Sequence, residues 1–104
     1  MRDGKVFFIT IEVTPKPSHS RYGEVDGAFA ACWVNEPTAR LAESTAREGI
    51  EDADWDIVEL DQLREIVREE YLNHPEGLEL YDQASLDGLV ITFNTWPVGG
   101  DEDA

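Results

Sequence analysis

The run KVFFITIEV at residues 5–13 is dense in β-branched and aromatic side chains and alternates with a period of two. Phe7, Ile9, Ile11 and Val13 fall on one face, and Val6, Phe8, Thr10 and Glu12 on the other, which is the pattern of a central strand. Both faces carry large apolar groups. A sheet built on this strand therefore needs cover on one side and has apolar surface left over on the other.

The flanking sequence supplies the rest of the sheet. Residues 14–27, TPKPSHSRYGEVDG, hold two prolines and two glycines without sustained periodicity and read as a long loop. AFAACWV at 28–34 reads as a second strand with Ala28, Ala30, Cys32 and Val34 on one side, small enough for a helix to pack closely, and Phe29, Ala31 and Trp33 on the other. Asn35-Glu36-Pro37-Thr38 is a helix start, with Asn35 as the expected cap and Pro37 in the first turn. Thr38, Leu41, Ala42, Thr45, Ala46 and Gly49 then share one face of a helix expected to end near Gly49.

WDIVEL at 55–60 is a third strand. In 61–71, Leu63, Ile66, Val67 and Tyr71 have helical spacing and predict a short helix, although Ile66-Val67 also suits extended chain. Asn73-His74-Pro75-Glu76 opens another helix, which Asp87-Gly88 closes, and LVITFNTW at 89–96 is the last strand. The order β-β-α-β-(α)-α-β predicts an α+β protein, a two-layer α/β sandwich with a mixed four-stranded sheet and both main helices on one face. It loosely resembles a ferredoxin-like arrangement, but its order departs from βαββαβ. One domain is expected over 1–97, with a disordered acidic tail at 98–104.

Composition narrows the partners. The chain has 104 residues, 41% of them hydrophobic, and 23 acidic against 8 basic side chains give a formal charge of −15. With so few cations to neutralise phosphates, direct nucleic-acid binding is not expected. Residues 5–13 are too short and too polar to span a membrane, and the lone Cys32 forms no internal disulfide, so a cytoplasmic protein is expected. The acidity suits solubility, a high-salt interior or a basic protein partner. Small acidic immunity proteins and antitoxin-like inhibitors are similar in size and charge, a likeness of composition without a shared motif.

No catalytic set is expected. The loop cluster Ser18-His19-Ser20-Arg21-Tyr22 combines an imidazole, a guanidinium and a phenol, but spacing supplies neither a base-orienting carboxylate nor an oxyanion donor. His74 has a turn or capping role at a helix start. One Cys and two distant His give no zinc pattern, and the runs 51–54 and 101–103 lack EF-hand spacing, so neither metal nor cofactor is expected.

Two functional readings follow. In the first, the protein is a non-enzymatic interaction or regulatory module that forms a homodimer through the leftover sheet face, by Phe8, Thr10, Trp33, Thr92 and Trp96, and offers its acidic surface to a basic protein. In the second, a pocket between the 14–27 loop and that face binds a small molecule, lined by His19, Arg21, Tyr22, Asn94 and Trp96. The alternative to the sheet-face dimer is that loops or the 61–71 segment cover the face, and Trp33 and Trp96 are ordinary core.

Overall fold

The computed structural model describes residues 5–97. Its strands are β1 (Lys5–Pro15), β2 (Val25–Glu36), β3 (Trp55–Ile66) and β4 (Leu89–Pro97), and its helices are α1 (Ala39–Asp52) and α2 (Pro75–Asp87), with a 3-10 turn at Arg68–Tyr71. The architecture is the expected α+β one, a four-stranded sheet with two main helices. The sheet order is β3-β1-β2-β4.

Every neighbouring pair is antiparallel, so the sheet is not mixed. The physical reason is the position of β1. Strands β2 and β3 point the same way and are joined by the α1 crossover, but β1 lies between them and is antiparallel to both.

The alternation of β1 is realised as read. Phe7, Ile9, Ile11 and Val13 join Ala28, Ala30, Cys32 and Val34 of β2 in one core, with Ala42, Ala46 and Ile50 of α1 packed onto it. Small β2 side chains let the helix come close. The same demand operates at Gly49, where an added Cβ would lie 2.7 Å from Leu89 Cδ2. Helix α1 runs beyond Gly49 to Asp52, and its cap is Thr38, whose Oγ1 accepts the Leu41 N–H at 3.2 Å. Asn35 is not the cap: its Nδ2 donates to the Ser85 carbonyl of α2 at 3.2 Å, and Leu41 on the expected apolar face is half exposed.

Helix α2 lies on the opposite face from α1, which corrects the expectation of two helices on one side. Ala84 packs with Val6, Ala31, Trp33 and Ile66, and Phe8, Tyr71, Leu80, Tyr81 and Val90 surround that cluster. The segment expected as a helix at 61–71 explains the crossing. It is strand as far as Ile66, whose side chain points to this second face, and only Arg68–Tyr71 coil. Tyr71 then docks on the second face, its Oη accepting the Trp33 Nε1–H at 3.2 Å, before α2 begins. The helix ends as read, with Gly88 at φ 94°, a left-handed conformation that favours glycine.

The expected tail at 98–104 lies outside the described residues. No helix among those described is long and apolar enough to cross a membrane.

Candidate interaction surfaces

The connection between β1 and β2 is shorter and more ordered than the 14–27 loop read from sequence. Successive turns tie it together: the His19, Tyr22 and Val25 N–H groups donate to the carbonyls of Lys16, His19 and Arg21, and Lys16 N–H donates to the Asp54 carbonyl ahead of β3. His19 Nδ1 accepts the Arg21 N–H at 3.0 Å, and the imidazole meets Trp55 edge-on at 4.5 Å between centroids. Trp55 in turn stacks on Phe93 in the core beneath α1. His19 is thus a packing residue that anchors the connection.

The five residues of the expected pocket are divided by the sheet. His19 reaches the α1 face, while Trp96 lies on the other face, tilted against Phe29 at 5.4 Å and so close over Gly27 that a Cβ there would be 2.6 Å from the indole. Asn94 is exposed on the same strand as Trp96, opposite Phe29 of β2. Arg21 is exposed and faces Glu24 at 3.9 Å. Tyr22 lines a shallow concavity of about 260 Å³ with Thr14, Pro15, Gly23, Val25 and Asp26, and the other four residues are not part of its wall.

The leftover face is covered at one end and open at the other. Phe8 and Trp33, 5.0 Å apart, sit under the 3-10 turn and α2, so these two of the five expected dimer residues already have partners within the chain. Thr10, Thr92 and Trp96 lie beyond α2, in a half-open region with Phe29. Thr10 Oγ1 donates to Asp61 there at 3.0 Å.

A further acidic concavity lies on the α1 side of the sheet. Where α1 lies along β3, Glu48, Glu51, Asp56 and Glu59 line an open concavity of about 620 Å³ together with Val58 and with Ile57, which packs against the α1 core. Arg47 is the cation in its wall, and Glu43 holds that guanidinium at 2.8 Å. The i, i+3 spacing of Glu48 and Glu51 puts them on one side of a helix. Only the crossover, however, sets that side against β3. On the outer edge, Val58 is 52% exposed between Asp56 and Glu59.

Three further cations are engaged with carboxylates. Lys5 faces Glu65 at 3.8 Å and Arg64 faces Glu70 at 3.0 Å, while Arg68 forks onto both oxygens of Asp82, linking the 3-10 turn to α2. The Arg64 hydrogen bond, helped by the Val67 N–H, holds Glu70 below the usual carboxylate range, and Arg68 does the same for Asp82. Burial pushes the Cys32 thiol up to about 12, which makes it a core group and not a nucleophile. Among the described residues, no group of three His, Cys, Asp or Glu is placed to hold a metal ion.

No family model, curated protein or solved structure matches the chain.

Proposed function

We propose that this protein is a self-associating, non-enzymatic interaction module whose acidic groove between α1 and β3 takes up a basic segment of another protein. The observation that carries this reading is the groove itself. Four carboxylates, Glu48, Glu51, Asp56 and Glu59, share a concavity with the exposed Val58 and the half-buried Ile57 of the edge strand β3, and the nearby Arg47 is held by Glu43. Such a surface suits a Lys- or Arg-rich extended chain, which gains contacts from its aliphatic stems as well as its charges.

The test is binding of an oligolysine peptide, titrated at low and at physiological salt. Neutralising Glu48, Glu51, Asp56 and Glu59 to Gln or Asn is expected to weaken binding about tenfold, four exposed contacts at a few tenths of a kcal/mol each. A control variant neutralising Glu24, Asp26, Glu76 and Glu79 removes the same charge from elsewhere and is expected to bind nearly as the parent does. Equal loss in the two variants would show a diffuse charge effect and end the reading of a groove.

A further inference from the structure

We infer that a second copy of this chain adds to the outer edge of β4, pairing β4 antiparallel to itself about Thr92 and joining two four-stranded sheets into one. This rests on the self-association in the preceding reading and supplies its geometry.

Among the described residues β4 is an edge strand, and the direction of its outward backbone groups follows from one hydrogen bond. Asn35 N–H donates to the Gly88 carbonyl at 2.9 Å, which makes Asn35 and Gly88 a hydrogen-bonded pair in phase with the β2–β4 register. Along the uninterrupted register, Val90, Thr92, Asn94 and Trp96 then direct their backbone groups at β2. Leu89, Ile91, Phe93 and Thr95 direct theirs outward, at the edge of the sheet.

A two-fold centred on Thr92 uses every one of those outward groups. Leu89 meets Thr95 of the partner subunit and Ile91 meets the partner's Phe93, each pair exchanging two hydrogen bonds. Centring on Phe93 instead would bring Pro97, which has no N–H, opposite Leu89. The side chains agree with the Thr92 register: an aromatic against a β-branched residue on the α1 face, and Thr92 against its own copy on the other. Trp96 falls opposite the partner's Gly88, which offers no side chain to obstruct the indole.

Charge identifies the occupant as a second copy. Residues 89–97, LVITFNTWP, carry no charge, so two molecules of −15 each can meet here without opposing like charges at the contact. The other edge forbids this, because β3 displays Asp56, Glu59, Asp61 and Glu65, and its pairing with β1 has two register shifts that break its regularity. Thr92 is also far from the α1–β3 groove, at the opposite edge of the sheet, so self-association leaves the groove free.

The test combines solution mass with a register-specific cross-link. The parent is expected at twice 11.7 kDa by light scattering at high micromolar concentration. Thr92→Cys is expected to form a disulfide-linked dimer under diamide, which accepts the two electrons and two protons. A non-hydrogen-bonded antiparallel pair places its Cα atoms about 4.5 Å apart, within disulfide reach, and the buried Cys32 stays out of the reaction. Thr95→Pro removes one outward N–H at an exposed site and is expected to give a folded monomer by circular dichroism; Thr92→Lys, which opposes two ammonium groups on the axis, gives the same result should the proline variant not fold. A dimer that cross-links at Glu12→Cys on the open sheet face but not at Thr92→Cys would refute the edge pairing and leave self-association standing. A monomeric parent would refute both.

Discussion

The two faces of the sheet are apolar to different extents and are covered by different means. Under α1, side chains from all four strands join one core that runs from Val34 to Trp55, with Ile9, Ile11 and Ile50 fully buried. Under α2 the buried set is Val6, Ala31, Trp33, Ile66 and Ala84, confined to one end, and it is finished by aromatic rings and a hydrogen bond between Trp33 and Tyr71. The first face therefore holds the fold and the second is an attachment to it. Local opening is expected to begin at the 3-10 turn and α2.

The largest expected effect comes from breaking the first face. Ile11→Ala, at the middle of the central strand, is expected to cost about 2–5 kcal/mol of unfolding free energy in urea, the lost transfer energy plus the cavity left in a core that cannot collapse around it. A cost below about 1 kcal/mol would mean that the α1 face is packed no better than the other.

The next effect reads the same core through its one titratable group. Cys32 is fully buried, and its thiol is raised from 9.0 to about 12. The unfolded chain ionises first, so stability is whole below about pH 9 and is lost as pH rises toward 12. By about pH 10.5 the loss is roughly 2 kcal/mol, at about 1.4 kcal/mol per unit. Cys32→Ala is expected to flatten this alkaline limb in a urea–pH series, and an unchanged limb would place the thiol outside the core.

How much of this contrast could be read beforehand depends on the face. The β1 alternation, the small side of β2 and the Pro75 and Gly88 boundaries of α2 are local signals, and the structure realises each. The second face is not local. Val6, Phe8, Trp33 and Val90 announce apolar surface, but whether α2 or a second molecule covers it depends on which side of the sheet the chain leaves β3. That exit was masked by a periodicity. Leu63 packs toward α1 and Ile66 toward α2, three residues apart on opposite faces of one strand, and this spacing imitates a helix. The five residues of the expected pocket are divided for a related reason, since nearness in sequence at 19–22 does not fix which face each side chain reaches. His19 found Trp55 on one side of the sheet while Trp96 lies on the other.

A smaller effect is expected on the second face. Tyr71→Phe removes the acceptor for the Trp33 indole and is expected to cost about 0.5–1.5 kcal/mol. Its better readout is hydrogen exchange. Amides of α2 should exchange faster in the variant, while those of β1 and α1 keep their protection. Equal acceleration throughout would show that the two faces open as one unit and that α2 is no attachment.

The smallest effect separates the faces by pH. Arg68 forks onto Asp82 and so ties the 3-10 turn to α2 on the second face, whereas the Arg47–Glu43 pair of the first face lies within α1 and ties nothing to the sheet. Asp82 is depressed by its hydrogen bonds to Arg68, so its contribution is present above the ordinary value of 3.8 and is lost as pH falls through the lower value in the folded protein. Both partners are exposed, so salt screens the pair and global stability should scarcely register it. Local opening is the sensitive measure. Below the Asp82 transition, α2 amides should lose protection relative to β1, and Asp82→Asn should remove that pH dependence without altering the protection of α1. Loss of protection in α1 over the same pH range would mean that the acid transition belongs to the whole molecule, and the tie between the 3-10 turn and α2 would then have no separate role in holding the second face closed.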